Sequence, residues 1–150
     1  MTNSIAEIED AGCIFVIGSN TTACHPLVAR RIFKAKEKGA RLIVADPRNI
    51  QLSRFADLAV QHRLGSDVAL LNGMMHIIIT NGWHDTDYIE NRTEGFEEMA
   101  KVLEIYTPEY VQAITGVSPS DLEKLAELYA LNSPSSLLYA MGITCLLYTS

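Results

Sequence analysis

The sequence predicts an α/β fold: a Rossmann-like open parallel sheet flanked by helices, with a helical excursion before the last strand. Three observations predict it. Cys13-Ile-Phe-Val-Ile17 is an unbroken apolar run that stops at Gly18-Ser19-Asn20. Arg41-Leu-Ile-Val-Ala45 is a second such run, and it stops at Asp46-Pro47-Arg48. Between them lies one helix-sized segment closed by Gly39. Strand, helix, strand in that order is the unit from which parallel sheets are built. Ligands of such sheets bind beyond the carboxyl ends of the strands. The two loops are therefore expected side by side on one rim, facing the same ligand.

Each element has its own justification. Met1 to Ala11, with Ile5 and Ile8 among acids, reads as a short helix leading into the first strand. The first strand, 13–17, is apolar throughout, which suits burial on both faces. A helix over Pro26 to Lys38 starts on a proline, which tolerates the first helical position. Leu27, Val28, Ile32 and Ala35 form its apolar stripe, and Lys34, Lys36 and Lys38 load the end where cations favour the macrodipole. The second strand is 41–45, and Pro47 prevents its continuation because proline lacks a ladder donor. Leu58-Ala-Val-Gln-His62 reads as a third short strand. Asp67 is expected as the N-cap of a long helix, Val68 to about Thr80, closed by Asn81-Gly82.

The section 84–132 changes character. It holds Asp87 to Asn91, a helix near Phe96–Ile105, a second near Pro108–Ile114, and a third opened by Ser118-Pro-Ser-Asp121, a capping-box-like start. It is expected to pack on the sheet as an excursion without a core of its own. Ser136-Leu-Leu-Tyr-Ala-Met141 returns as a strand ending in Gly142.

Composition limits the function classes. The chain has 150 residues, 48% hydrophobic and 20% charged, with a formal net charge of -6. Those fractions are those of a globular domain. The acidic balance argues against a nucleic-acid partner, which would call for a basic face. No apolar run reaches 18 residues, so no transmembrane segment is expected. Met1 to Asp10 lacks the basic and apolar regions of a signal peptide. Cys13, Cys24 and Cys145 have no metal-like spacing and are read as reduced thiols, with a cytoplasmic location.

Three small-polar loops are candidate binding residues. Gly18 lets a ligand approach the backbone, and Ser19 and Asn20 add short hydrogen-bonding arms. The alternative is an ordinary strand-to-helix turn. The glycine spacing of the usual NAD fingerprint is absent. Asp46, at the end of the second strand, is placed to accept from ribose hydroxyls. Arg48 suits a phosphate or the face of a base. The alternative for this pair is a salt-bridged surface turn. Gly65-Ser66-Asp67 is a third loop at a helix start, where Asp67 suits N–H donors such as a guanine edge, or simply caps the helix. Cys24-His25 is adjacent in sequence and does not converge on an ion. His62, His76 and His84 are scattered, and no metal-ligating or catalytic constellation stands out.

Taken in order, these loops have a family likeness. Its residues are Met1-Thr-Asn-Ser4, Gly18-Ser-Asn-Thr-Thr-Ala-Cys-His-Pro26, Ala45-Asp-Pro-Arg48, Leu64-Gly-Ser-Asp67, Asn91-Arg-Thr-Glu-Gly-Phe96, Tyr106-Thr-Pro-Glu-Tyr110, Ile114-Thr-Gly-Val117 and Tyr139-Ala-Met-Gly-Ile-Thr144. Over nearly all of 1–144 the chain resembles an internal piece of the large catalytic subunit of molybdopterin-dependent formate dehydrogenases, within the dimethyl sulfoxide reductase superfamily. That resemblance implies a bis-molybdopterin guanine dinucleotide cofactor carrying Mo or W, with a 4Fe-4S cluster in the full-length subunit only. It implies that Gly18, Ser19, Asn20 and His25 line the pterin and phosphate path. It gives Asp46 and Arg48 the nucleoside and Gly65 and Asp67 the guanine end, and includes Pro47, Ser66 and Gly142 in the cofactor-binding set. It also implies formate as substrate of the full enzyme and iron–sulfur or NAD-linked electron-transfer subunits as partners.

The family's iron–sulfur cysteines, metal ligand and neighbouring histidine are not in this chain. No catalytic and no metal-ligating residue is therefore assigned. Residues 1–144 are read as the dinucleotide-binding domain, a fragment, and 145–150 as a non-native tail. Related nitrate reductase or NADH-dehydrogenase large subunits, and a free-standing nucleotide-binding module, are the alternatives.

Overall fold

The computed structural model describes residues 4–141 and 143. Four strands form one parallel sheet: β1 (Cys13–Ile17), β2 (Arg41–Ala45), β3 (Leu58–Val60) and β4 (Ser135–Tyr139), in the order β3-β2-β1-β4. Ile17 lies opposite Ala45 and Tyr139, and Ala45 lies opposite Val60. The strands thus end level, and the loops that follow them leave from one rim. The chain moves outward from β1 to β2 and β3, then returns to β4 on the far side of β1. That reversal is the switch point where open α/β sheets hold their ligands.

Alternation along β1 creates two cores. Cys13, Phe15 and Ile17 face Leu70, Met74, Leu122 and Leu125. Ile14 and Val16 face Ile32, Ala35 and Leu52. Every residue of β1 is buried, as an apolar run sandwiched between two helical layers requires. Each large side chain so buried contributes roughly 1.5–3 kcal/mol.

One layer holds α1 (Thr21–Cys24), α2 (Pro26–Glu37) and two 3-10 turns, Ile5–Asp10 and Gln51–Phe55. Pro26 opens α2, and Gly39 stops it at φ 103°, a conformation other residues resist. Ser4 caps the first 3-10 turn, with Glu7 completing a capping box. Glu9 pairs with Arg31 and Lys34 of α2. Asp57 accepts from Lys36 Nζ at 2.8 Å, from Arg41 Nη1 at 3.3 Å and from the Leu42 N–H at 2.8 Å. Burial opposes the charge on Asp57, but these three donors outweigh it and hold its carboxyl below the usual range.

The other layer holds α3 (Asp67–Thr80), α4 (Thr86–Arg92), α5 (Phe96–Leu103), α6 (Pro108–Thr115) and α7 (Pro119–Leu131). Helix α3 packs on α6 and α7 at Gly73, where an added Cβ would lie 2.7 Å from Val111 Cγ2 and 3.1 Å from Leu122 Cδ2. Thr107 and Ser118 cap α6 and α7, each followed by proline. Helix α7 also reaches the sheet, so Leu122, Leu125 and Ala126 share the core of β1 and β2.

Four expectations need correction. Leu27 is 76% exposed and lies outside the apolar stripe of α2, whose buried residues are Ala29, Ile32 and Ala35. The third strand ends at Val60, because Gln61 and His62 turn away from the ladder. The last strand is Ser135–Tyr139 and not 136–141. Asp67 is not the N-cap of α3: Ser66 holds that position and Asp67 is the first helical residue, its carboxylate engaged elsewhere. Gly142 and the tail 145–150 lie outside the described residues. No helix among the described residues is long and apolar enough to cross a membrane.

Candidate functional site

The loops after β1, β2 and β3 meet at the carboxyl rim, and hydrogen bonds link them. The Gly18 N–H donates to Ala45 O at 2.9 Å, and the Asp46 N–H to Val60 O at 3.2 Å. Gln61 Nε2 donates to Pro47 O at 3.4 Å. The structure therefore brings 18–20, 46–48 and 61–67 together.

Gly18 sits at φ 57°, the left-handed region that disfavours a side chain. A Cβ there would lie 3.8 Å from Asp67 Oδ1, so a side chain at Gly18 would come up against the third loop. Ser19 is buried, its Oγ 3.1 Å from Thr21 Oγ1. The Asn20 carbonyl accepts from the Ala23 and Cys24 N–H groups and so starts α1. His25 stands exposed at the junction of α1 and α2, with no described hydrogen bond to the carboxylates of the rim.

The second loop is an ion-paired turn. Asp46 is only 1% exposed. Its Oδ1 accepts from the Arg48 N–H at 2.9 Å and from Arg48 Nε at 3.1 Å. Oδ2 lies 3.4 Å from Arg48 Nη2. The Arg48 side chain is 68% exposed, so its guanidinium stands in solvent over a buried carboxylate. The Asp46 hydrogen bond and charge push the Arg48 pKa further up, and the guanidinium stays a permanent cation.

The third loop is held from behind. Arg63 donates its N–H to Thr115 O at 2.9 Å and its Nη1 to Ala113 O at 2.6 Å. Gly65 turns at φ 78°. Ser66 Oγ donates to Arg63 O at 2.6 Å, so it does not cap α3. The first-turn N–H groups of α3 thus lack a side-chain cap and face the rim. Asp67 is buried, and its Oδ1 lies 3.1 Å from His62 Nε2.

His62 is the residue that sequence reasoning missed. In the sequence it stands among scattered histidines because its partner lies five positions away across a loop, where no helical or strand spacing applies. A histidine just past a strand end, followed by a small-polar loop ending in Asp, is the signal that was available.

Chemically the rim offers two buried carboxylates, two buried hydroxyls, an amide and one exposed guanidinium. That set accepts N–H and O–H donors and meets an anion. No cluster of three metal-ligating side chains occurs among the described residues.

Comparison with known proteins shows the family. The family model described as molybdopterin oxidoreductase matches residues 1–144. The chain is 49% identical over 144 residues to the F420-dependent formate dehydrogenase 1 subunit alpha of Methanococcus maripaludis, covering 96% of this chain and 21% of that protein. It is 44% identical to formate dehydrogenase H of Escherichia coli, covering 96% of this chain and 20% of that one. Acetylene hydratase from Pelobacter acetylenicus superposes with a TM-score of 0.84 at 29% identity, over 92% of this chain and 20% of that structure. The chain therefore spans about a fifth of the length of these relatives. The resemblance read from the ordered loops is borne out, and the chain belongs to the molybdopterin oxidoreductase family.

Proposed function

We propose that this chain holds the guanine dinucleotide arm of a molybdopterin cofactor, carrying Mo or W, inside a formate dehydrogenase large subunit. Residues 1–144 are the holding domain. In this reading Gly18, Ser19, Asn20 and His25 follow the pterin and phosphates, and Asp46, Pro47 and Arg48 meet the nucleoside. Gly65, Ser66 and Asp67 take the guanine, and Gly142 completes the set from outside the described residues.

The observation that carries the reading is the placement of the Cβ-free Gly18 backbone near the buried Asp67 carboxylate, with the buried Asp46 on the neighbouring loop. The donor set fits this arm of the cofactor and not its metal. A carboxylate accepts two parallel N–H bonds, which is what the guanine edge offers. A backbone without Cβ at Gly18 allows close approach. Arg48 supplies the cation for a phosphate or the plane for a base.

When bound, such a cofactor supplies two-electron redox chemistry at its metal. In the full subunit that chemistry would oxidise formate to CO2, a proton and two electrons, with iron–sulfur or NAD-linked subunits as electron acceptors. This chain's residues would bind and orient the arm. Because they touch no reacting atom, the chain by itself is expected to show no formate turnover.

Calorimetry with GDP and NAD tests the reading. GDP is expected to bind at tens of micromolar, roughly 6 kcal/mol, and NAD far more weakly. Tight NAD binding would favour a free-standing nucleotide module instead, the reading that Asp46 at the end of β2 supports on its own.

A further inference from the structure

The geometry points to His62 as a positioning residue that fixes the Asp67 carboxylate to accept two parallel N–H donors from a purine edge. This inference rests on the guanine reading of Asp67 and adds the residue that sets its selectivity.

The His62 side chain is wholly buried. Its Nε2 lies 3.1 Å from Asp67 Oδ1. A carboxylate accepts, so the imidazole donates from Nε2. The other nitrogen, Nδ1, is buried with no hydrogen-bond partner among the described residues. A histidine retained only for packing gains nothing from an unpaired ring nitrogen, since an apolar side chain would fill the space without it. Here one nitrogen goes unpaired and the other reaches the carboxylate.

The support is rigid on both sides. Arg63 anchors the loop to α6 through Thr115 O and Ala113 O, and Ser66 Oγ closes it on Arg63 O. Asp67 starts α3, whose backbone fixes its Cα. The His62 bond then fixes the carboxylate plane. Asp67 Oδ2 has no protein donor among the described residues, and Oδ1 keeps a second lone pair. The pair of oxygens can thus receive the ring N–H and exocyclic N–H of guanine together. Hypoxanthine carries only the ring N–H.

The ratio of GDP to IDP affinity reads this geometry directly. In calorimetry on the full chain, the wild type is expected to prefer GDP by about tenfold, the worth of one well-made hydrogen bond. His62→Leu is expected to lower GDP affinity about tenfold and bring the ratio near one, with IDP affinity little changed; its thermal midpoint falls, since the buried Asp67 loses its donor. His62→Gln places an amide N–H where Nε2 stands and is expected to restore most of the preference. A purely structural histidine would change both nucleotides alike.

Full GDP preference in His62→Leu overturns this inference alone. Should that variant not fold, His62→Gln decides: a retained ratio supports positioning, and a lost one refutes it. No GDP binding by the wild type overturns the guanine reading, and this inference with it.

Discussion

Replacing Gly12 with alanine tests how tightly the switch point is built. Gly12 precedes β1 and does not adopt a positive φ, so its backbone conformation is no obstacle to a side chain. The obstacle is space. An added Cβ would lie 2.8 Å from Asn132 O and 3.0 Å from Ser133 O, both backbone atoms that cannot rotate aside. Gly12 is also fixed on both sides, donating to Pro134 O at 2.8 Å and accepting from the Arg41 N–H at 2.8 Å. Relieving the clash must push the segment before β4 away from β1. Overpacking costs about 1–3 kcal/mol, and stretching one hydrogen bond about 1 kcal/mol more. The stiffer unfolded chain offsets about 0.4–1 kcal/mol. The net is a loss of about 2–3 kcal/mol. At a urea slope near 2 kcal/mol/M, the midpoint should fall by roughly 1–1.5 M. Urea melts followed by circular dichroism measure it. An unchanged or higher midpoint at unchanged slope would refute the argument.

Asp57 should make the fold acid-sensitive. Its folded pKa is depressed, so its contribution is present above the ordinary value of 3.8 and is lost as pH falls through the lower folded value. Asp57→Asn should cost about 1–2 kcal/mol at pH 6 and flatten the stability decline below pH 4, in urea melts at both pH values. The thiols should differ in reactivity. Burial, with a smaller push from the Asp57 charge, raises the Cys13 pKa to about 11, whereas Cys24 is exposed. Peptide mapping after brief iodoacetamide treatment of the folded chain should find Cys24 modified and Cys13 intact. Equal labelling would contradict the burial of β1.

The sheet and the major helices were legible because their signals are local. The run Cys13–Ile17 stops at a glycine, and Pro26, Pro108 and Pro119 mark helix starts that the structure reproduces. Helix α4 has no buried residue and hence no apolar stripe, so periodicity gives no signal for it. The four-residue α1 spans barely one turn, too little for a period to show, and exists because the Asn20 carbonyl gathers its first N–H groups. At the site, the three loops could be placed on one rim from the strand ends alone. The error over Asp67 has a physical cause. Capping and first-turn positions favour the same acid, and only the distant His62 donor shows which way the carboxylate faces.

The central claim is that 18–20, 46–48 and 61–67 form one cradle for a guanine nucleotide. Amide NMR spectra of the isotope-labelled chain, titrated with GDP, test it most directly. Shifts are expected to concentrate on those loops and on the first turn of α3, with the amides of α4 and α5 unmoved. Shifts centred on α4 and α5, or scattered evenly over the molecule, would contradict it.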